Sequence, residues 1–253
     1  GYSAKTITRN SDWENDFTLF THDVHISEGS AKGNCVAGGQ WYEKALEVKD
    51  KNERIKLLRK AQTYLRKALA IYPTYNDALL LYGNTQFGLE KPLDSVMPHY
   101  LSIFSRSPKH GDAWRNSLLV MQKGDGATRL KWYKALANID SSKFDIFYNM
   151  GVIYGRDMND LALSEKFLTK ALQLKPNDVS SLKDLAVVYG MTKRYSESVN
   201  TLLKVVNRKS DDASSWYNLG VSYHALGQID SAQAAFDRAH QLDSLRPKIV
   251  LRK

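Results

Sequence analysis

The sequence predicts an all-α fold, a right-handed superhelical solenoid of about five and a half helix pairs, and three observations predict it. One phrase is written three times at a spacing of about 34 residues: Phe147-x2-Met150-Gly151-x2-Tyr154, Leu182-x2-Leu185-Ala186-x2-Tyr189 and Trp216-x2-Leu219-Gly220-x2-Tyr223. A second pattern follows each copy: Ser164-x3-Leu168-x2-Ala171, Ser198-x3-Leu202-x2-Val205 and Ala232-x3-Phe236-x2-Ala239. Within every segment apolar residues recur at i, i+3, i+4 and i+7, a helical period that no strand would show.

The two-part phrase resembles the tetratricopeptide repeat, in which paired helices stack and supply a concave surface for holding other molecules. Gly151 and Gly220 fall mid-helix, where Gly costs roughly 1 kcal/mol relative to Ala. Such a residue marks a close helix approach, and the second helix is expected to present Ser164, Ser198 or Ala232 at that notch. Bulky neighbours (Trp216, Leu219, Tyr223, Phe236) fill the groove between helices.

Towards the N-terminus the pattern blurs. Gly83, Val96, Tyr100 and Pro108 mark a repeat, with Pro92 in its inter-helix turn. A poorer copy begins at Trp114, turns at Gly124-Asp125-Gly126 and has Ala135 at a small position. The first repeat has Gly38, Tyr42, Ala61, Leu65, Ala68 and Pro73, and extra residues around 43–53 demand longer helices. The array therefore covers 31–246, divided at about 31–74, 76–110, 111–143, 144–178, 179–212 and 213–246. Residues 1–30 form an N-terminal segment whose stretch 12–26 (Trp13, Phe17, Phe20, Val24) reads as an amphipathic helix packing on the array, and 247–253 is a basic tail.

A 253-residue chain would ordinarily suggest one or two globular domains, but a solenoid grows by nearest-neighbour stacking. No run of 18 apolar residues spans a membrane, and the first ten residues lack the apolar core of a signal peptide. Cys35 is the single cysteine; it excludes an internal disulfide and permits either redox compartment. The net charge of +9 is uneven: residues 44–67 contain nine Lys or Arg against three acids. The plainer reading is a solvated convex face. The functional one is contact with an anionic membrane surface through Arg59, Lys60, Arg66 and Lys67. Nucleic acid is not expected, because no recognised binding module accompanies the charge.

The junction ahead of the array carries a second resemblance. Arg9-Asn10-x2-Trp13, followed by Leu19-Phe20 and then Ser30-Ala31-Lys32-Gly33-Asn34, resembles the point where the last membrane helix of O-mannosyltransferase-type glycosyltransferases gives way to their TPR region. That resemblance implies the extracytoplasmic, membrane-tethered tail of a larger membrane protein, with the lysine-rich first repeat nearest the bilayer. A free-standing scaffold, cytoplasmic in that case, is the rival reading, and a glycan-binding domain ranks below both. The acids that such transferases use lie between membrane helices, so no catalytic residue is carried over.

The inner surface of a TPR array is lined by the first helix of each pair, at the two positions before the small residue. Those positions hold Arg115 and Asn116, Tyr148 and Asn149, Lys183 and Asp184, and Tyr217 and Asn218. Asn offers donors and an acceptor, so it can bracket a peptide unit without reading its side chain. Asp184 interrupts the amide row, with Lys183 expected to neutralise it in part. The partner expected is therefore a polypeptide or protein in the concave groove. The Lys/Asn/Asn/Lys/Arg set of a chaperone-tail carboxylate clamp is absent. No enzyme, metal or cofactor is expected. His22 and His25 read as a surface pair, Gly124-Asp125-Gly126 lacks the Lys-Ser/Thr of a phosphate loop, and Cys35 lies on an apolar helical pattern.

Overall fold

The computed structural model describes residue 17 and residues 28–246 and 248–251. These form 12 α-helices and no strand. In chain order they are α1 (Ala31–Glu47), α2 (Lys51–Ile71), α3 (Asn76–Gly88), α4 (Leu93–Phe104), α5 (Gly111–Met121) and α6 (Gly126–Ile139), then α7 (Phe144–Arg156), α8 (Leu161–Leu174), α9 (Val179–Met191), α10 (Tyr195–Arg208), α11 (Ala213–Ala225) and α12 (Ile229–Leu242). The contacts divide the chain into two compact units, Gly1–Trp132 and Tyr133–Lys253, a boundary that the repeat pattern does not mark. Most of the expected N-terminal helix, the junction residues and the His22/His25 pair lie outside the described residues. Phe17 is described: it is helical and meets Trp41 edge-on, with ring centroids 4.6 Å apart.

Helix ends follow from local chemistry. Asp50, Asp160 and Asp178 cap α2, α8 and α9, each accepting from the backbone N–H three residues on at 2.8–2.9 Å. The turns inside four pairs share one device. Glu90, Asn159, Lys193 and Gly227 all lie two or three residues before the next helix with φ between 53° and 74°. At Lys193 and Gly227 the following N–H reaches back five residues, Arg194 N to Tyr189 O at 2.8 Å and Gln228 N to Tyr223 O at 2.9 Å, as in a Schellman closure.

The glycine notches are real, but their occupants differ from the expectation. A Cβ on Gly151 would lie 2.7 Å from Leu168 Cγ, and one on Gly220 would lie 2.7 Å from Phe236 Cδ1. The residue filling each notch is thus the apolar one a helical turn beyond Ser164 or Ala232. Ser164 instead faces Gly155, 2.8 Å from where its Cβ would be, and donates its hydroxyl to Gly151 O at 2.8 Å. Ser198 donates likewise to Ala186 O at 3.0 Å. Because these serines are buried, the bond between helices satisfies polar atoms that would otherwise be stranded.

In the first unit the longer α1 and α2 pack through Gly38, Ala61, Leu65 and Ala68, and Leu65 Cγ lies 2.6 Å from where a Gly38 Cβ would be. Cys35 is buried in this cluster at 3% exposure. Burial, with the charge of Asp77, pushes its thiol up to about 11. In the second unit Leu168, Leu185 and Val188 form one cluster, and Leu202, Val206, Leu219 and Ala235 another. These are successive interfaces of a stack, so burial recurs from pair to pair within each unit.

Candidate binding surface on the first helices of the pairs

Stacking places first helix beside first helix: α1, α3 and α5 are neighbours in one unit, and α7, α9 and α11 in the other. The predicted residues lie on these first helices, and each unit arranges them differently.

In the first unit a cleft of about 390 Å³ opens between Tyr42 and Leu46 of α1, Asn84 and Phe87 of α3, and Asn116 and Leu119 of α5. Asn116 does not stand alone. Its Nδ2 donates to Asn84 Oδ1 at 2.9 Å, and the hydroxyl of buried Tyr100 donates to the same oxygen at 2.8 Å. Asn84 escaped the sequence reading, although a signal existed. It follows the small residue Gly83 at the position where the clearer repeats carry Val152, Val187 and Val221. Arg115 turns away from Asn116 to pair with Asp112 on its own helix.

In the second unit the face is a network of ion pairs. Asp184 accepts from Tyr148 Oη at 3.2 Å and from Arg156 at 2.9 Å. Burial and the neighbouring Asp184 charge push the Tyr148 phenol up. Lys183 does not neutralise Asp184 as expected, because its ammonium pairs with Asp212 at 2.6 Å. Adjacent residues on a helix point about 100° apart, so Lys183 reaches the next pair while Asp184 reaches back to α7. Asn149 Nδ2 donates to Asp145 O at 2.7 Å within its own helix. The side-chain amide of Asn218 has no hydrogen-bond partner among the described residues. Tyr217 packs on Phe236 with centroids 5.5 Å apart, and the Arg246 guanidinium sits 5.3 Å over its ring. Beside these polar groups Val187, Met191 and Val221 are 41%, 56% and 43% exposed, an apolar strip on the same helices.

The basic residues of α2 are exposed. Lys60 Nζ lies 4.1 Å over the Trp41 ring. Arg66 and Lys67 line an open depression with Thr63 and Tyr82. Among the described residues none of Arg59, Lys60, Arg66 and Lys67 forms an ion pair, and no group of three or more His, Cys, Asp or Glu is placed to hold a metal. No helix among them is long and apolar enough to cross a membrane.

Residues 144–178 and 213–244 match family models of the tetratricopeptide repeat. The chain is 22% identical over 262 aligned residues to human Protein O-mannosyl-transferase TMTC3, an alignment covering 87% of this chain and 28% of that protein. It is 24% identical over 207 residues to human Protein O-mannosyl-transferase TMTC1, covering 80% of this chain and 21% of that protein. It is also 24% identical to the Drosophila melanogaster BBSome complex member BBS4 homolog, covering 82% and 43%. The chain thus spans about a quarter of the length of the transferases it matches. The crystal structure of the C-terminal part of a TPR repeat-containing protein from Cytophaga hutchinsonii shares its fold, with a TM-score of 0.63 at 15% identity over 98% of this chain and 96% of that one. The chain carries a tetratricopeptide-repeat array, a protein-interaction module similar to part of the O-mannosyl-transferases.

Proposed function

We propose that this array holds extended polypeptide segments along its first helices, and that it does so as the extracytoplasmic, membrane-tethered tail of a glycosyltransferase-like membrane protein, to which it recruits acceptor polypeptides. The alignment with the human transferase, running over 87% of the chain and well beyond the two repeats that match family models, is the observation that carries this setting. The chemistry of the first helices supports the mode of binding within each unit: the Asn116 amide in the first, and in the second the Asn218 amide, the Asn149 side-chain carbonyl and the rings of Tyr148 and Tyr217, each with exposed apolar residues on the same helices. In this reading the chain itself performs no sugar transfer. Turnover by the isolated chain, lost on a point substitution within it, would overturn that part.

Binding is tested by fluorescence anisotropy with a labelled, disordered Ser/Thr-rich polypeptide. Replacing Asn116, Asn149 and Asn218 by Ala should weaken it by roughly tens-fold or more, at about 1 kcal/mol per amide, with helicity unchanged. Affinity that survives the triple substitution would remove the inner face from the reading. A second reading, a free-standing adaptor in a multiprotein complex, is favoured by the match to the BBSome complex member homolog. Several apolar spans upstream in the same reading frame would decide against the adaptor.

A further inference from the structure

We infer that the face of α12 formed by Gln233, Asp237 and His240 is a polypeptide-binding site in its own right. It reads the main chain of an extended segment with apolar side chains at alternate positions, and residues 246–251 of the same chain occupy it in cis. The site lies on a second helix and needs none of the amides proposed above for the first helices.

This face differs from its counterpart one repeat earlier. There the matching positions on α10 are Val199, Leu203 and Val206. Those apolar side chains pack with Leu219 of the following α11, as the stacking of repeats requires. On α12 the three positions are polar and half-buried, and their spacing of i, i+4 and i+7 puts them on one stripe. What they meet is backbone of a non-helical segment. Arg246 comes one repeat after Asp212, and it takes the corresponding place. Asp212 pairs with Lys183, and one repeat on the Arg246 guanidinium lies 5.3 Å over the Tyr217 ring and donates to Ser214 Oγ at 2.9 Å.

The bonds fix the kind of ligand that this stripe takes. Gln233 Nε2 donates to Ile249 O, and Gln233 Oε1 accepts from Leu251 N, both at 2.8 Å. One side-chain amide thus spans a carbonyl and an N–H two residues apart, which an extended chain presents on the same edge. Asp237 accepts from the same Nε2 at 2.9 Å. A carboxylate cannot donate, so the Gln233 amide is oriented before any segment arrives. His240 Nδ1 lies 2.8 Å from Arg246 O, which only accepts, so this nitrogen is the donor. Side chains contribute by alternation: Ile249 and Leu251 are half-buried, whereas Val250 between them is 72% exposed. Main-chain bonds with alternate apolar anchors tolerate changes of sequence, so another segment of this pattern can replace the resident one. A short tether holds the resident at a roughly millimolar effective concentration, which makes it a competitor to be displaced.

The test is made on the full chain. The Leu251 amide should exchange with solvent at least roughly tenfold more slowly than that of Val250, and Gln233→Leu should remove the difference. A fluorescein-labelled, amidated peptide of residues 244–251 is then titrated into the parent chain and into an Ile249→Lys, Leu251→Lys variant, whose own segment no longer seats. The variant should bind the peptide roughly tenfold more tightly than the parent does. Adding Gln233→Leu, or N-methylating the peptide at the position of Leu251, should abolish that gain with helicity unchanged. Replacing Asn116, Asn149 and Asn218 by Ala should leave the peptide's affinity as it was, which separates this site from the first-helix surface. Equal exchange at Leu251 and Val250 would overturn the α12 site. So would equal affinity, or none, in the parent and the released variant, a gain that survives Gln233→Leu, or a dependence on those three asparagines.

Discussion

Gly151→Ala measures how tightly the paired helices are pressed together. The added methyl would lie 2.7 Å from Leu168 Cγ, 2.9 Å from its Cδ2 and 3.0 Å from the Leu168 backbone nitrogen. The nitrogen decides the outcome, because it can yield only if α8 shifts. That helix is tied to α7 by the buried bond from Ser164 Oγ to Gly151 O. Overpacking of this kind costs about 1–3 kcal/mol, while replacing a helical Gly by Ala returns up to about 1 kcal/mol. The net loss should be on the order of 1–2 kcal/mol. Gly190→Ala is the matched control: its Cβ would meet nothing closer than Ser198 Oγ at 3.9 Å, so only the helix gain of roughly 0.5–1 kcal/mol remains. Urea melts followed by circular dichroism should therefore shift in opposite directions with similar slopes. Hydrogen exchange should place the Gly151→Ala loss first in α7 and α8, since a stack of repeats yields locally. A Gly151→Ala protein as stable as the parent would refute the close contact.

Lys193 holds φ at 59° without being glycine, so Lys193→Gly should stabilise the α9–α10 turn by about 1 kcal/mol, read as a rise in urea midpoint. Charge reversal at Arg59, Lys60, Arg66 and Lys67 should weaken a salt-sensitive association with anionic vesicles, and equal binding to neutral vesicles would leave those residues a solvated face. Burial alone would raise the pKa of Asp212, but hydrogen bonds from Lys183 and Ser215 outweigh it and hold the carboxyl below its ordinary value. Its folded value lies under the unfolded one, so the contribution is complete above about pH 4 and disappears as pH falls through the folded value. Asp212→Asn should accordingly lower the melting temperature at neutral pH and flatten the acid limb of a pH–stability curve. Cys35, buried with its thiol raised to about 11, should alkylate only as fast as the first unit opens, and rapid labelling at neutral pH would contradict that burial.

The repeating phrase made the helical class and the paired organisation legible, because spacing along one helix is written directly into the chain. Gly151 and Gly220 marked the close approaches for the same reason. The sequence does not write the register of one helix against the next. The notch at Gly151 is filled by Leu168 rather than Ser164, one helical turn away, because rigid side chains interlock wherever their volumes fit best. Lys183 was expected to answer Asp184 as its neighbour, yet the two point to different helices and find Asp212 and Arg156.

The candidate site divides along the same line. The sequence alone determined an array of helix pairs and the amide and aromatic character of the positions expected to face inward. Tertiary structure decided which of those groups remain available. It closed Asn149 onto its own helix, drew Tyr148 and Asp184 into an ion-pair network, and joined Asn116 to Asn84 through an oxygen shared with Tyr100. Periodicity assigns a residue to a face, but a hydrogen bond depends on the distance between atoms on different helices, and that distance exists only once the helices have packed.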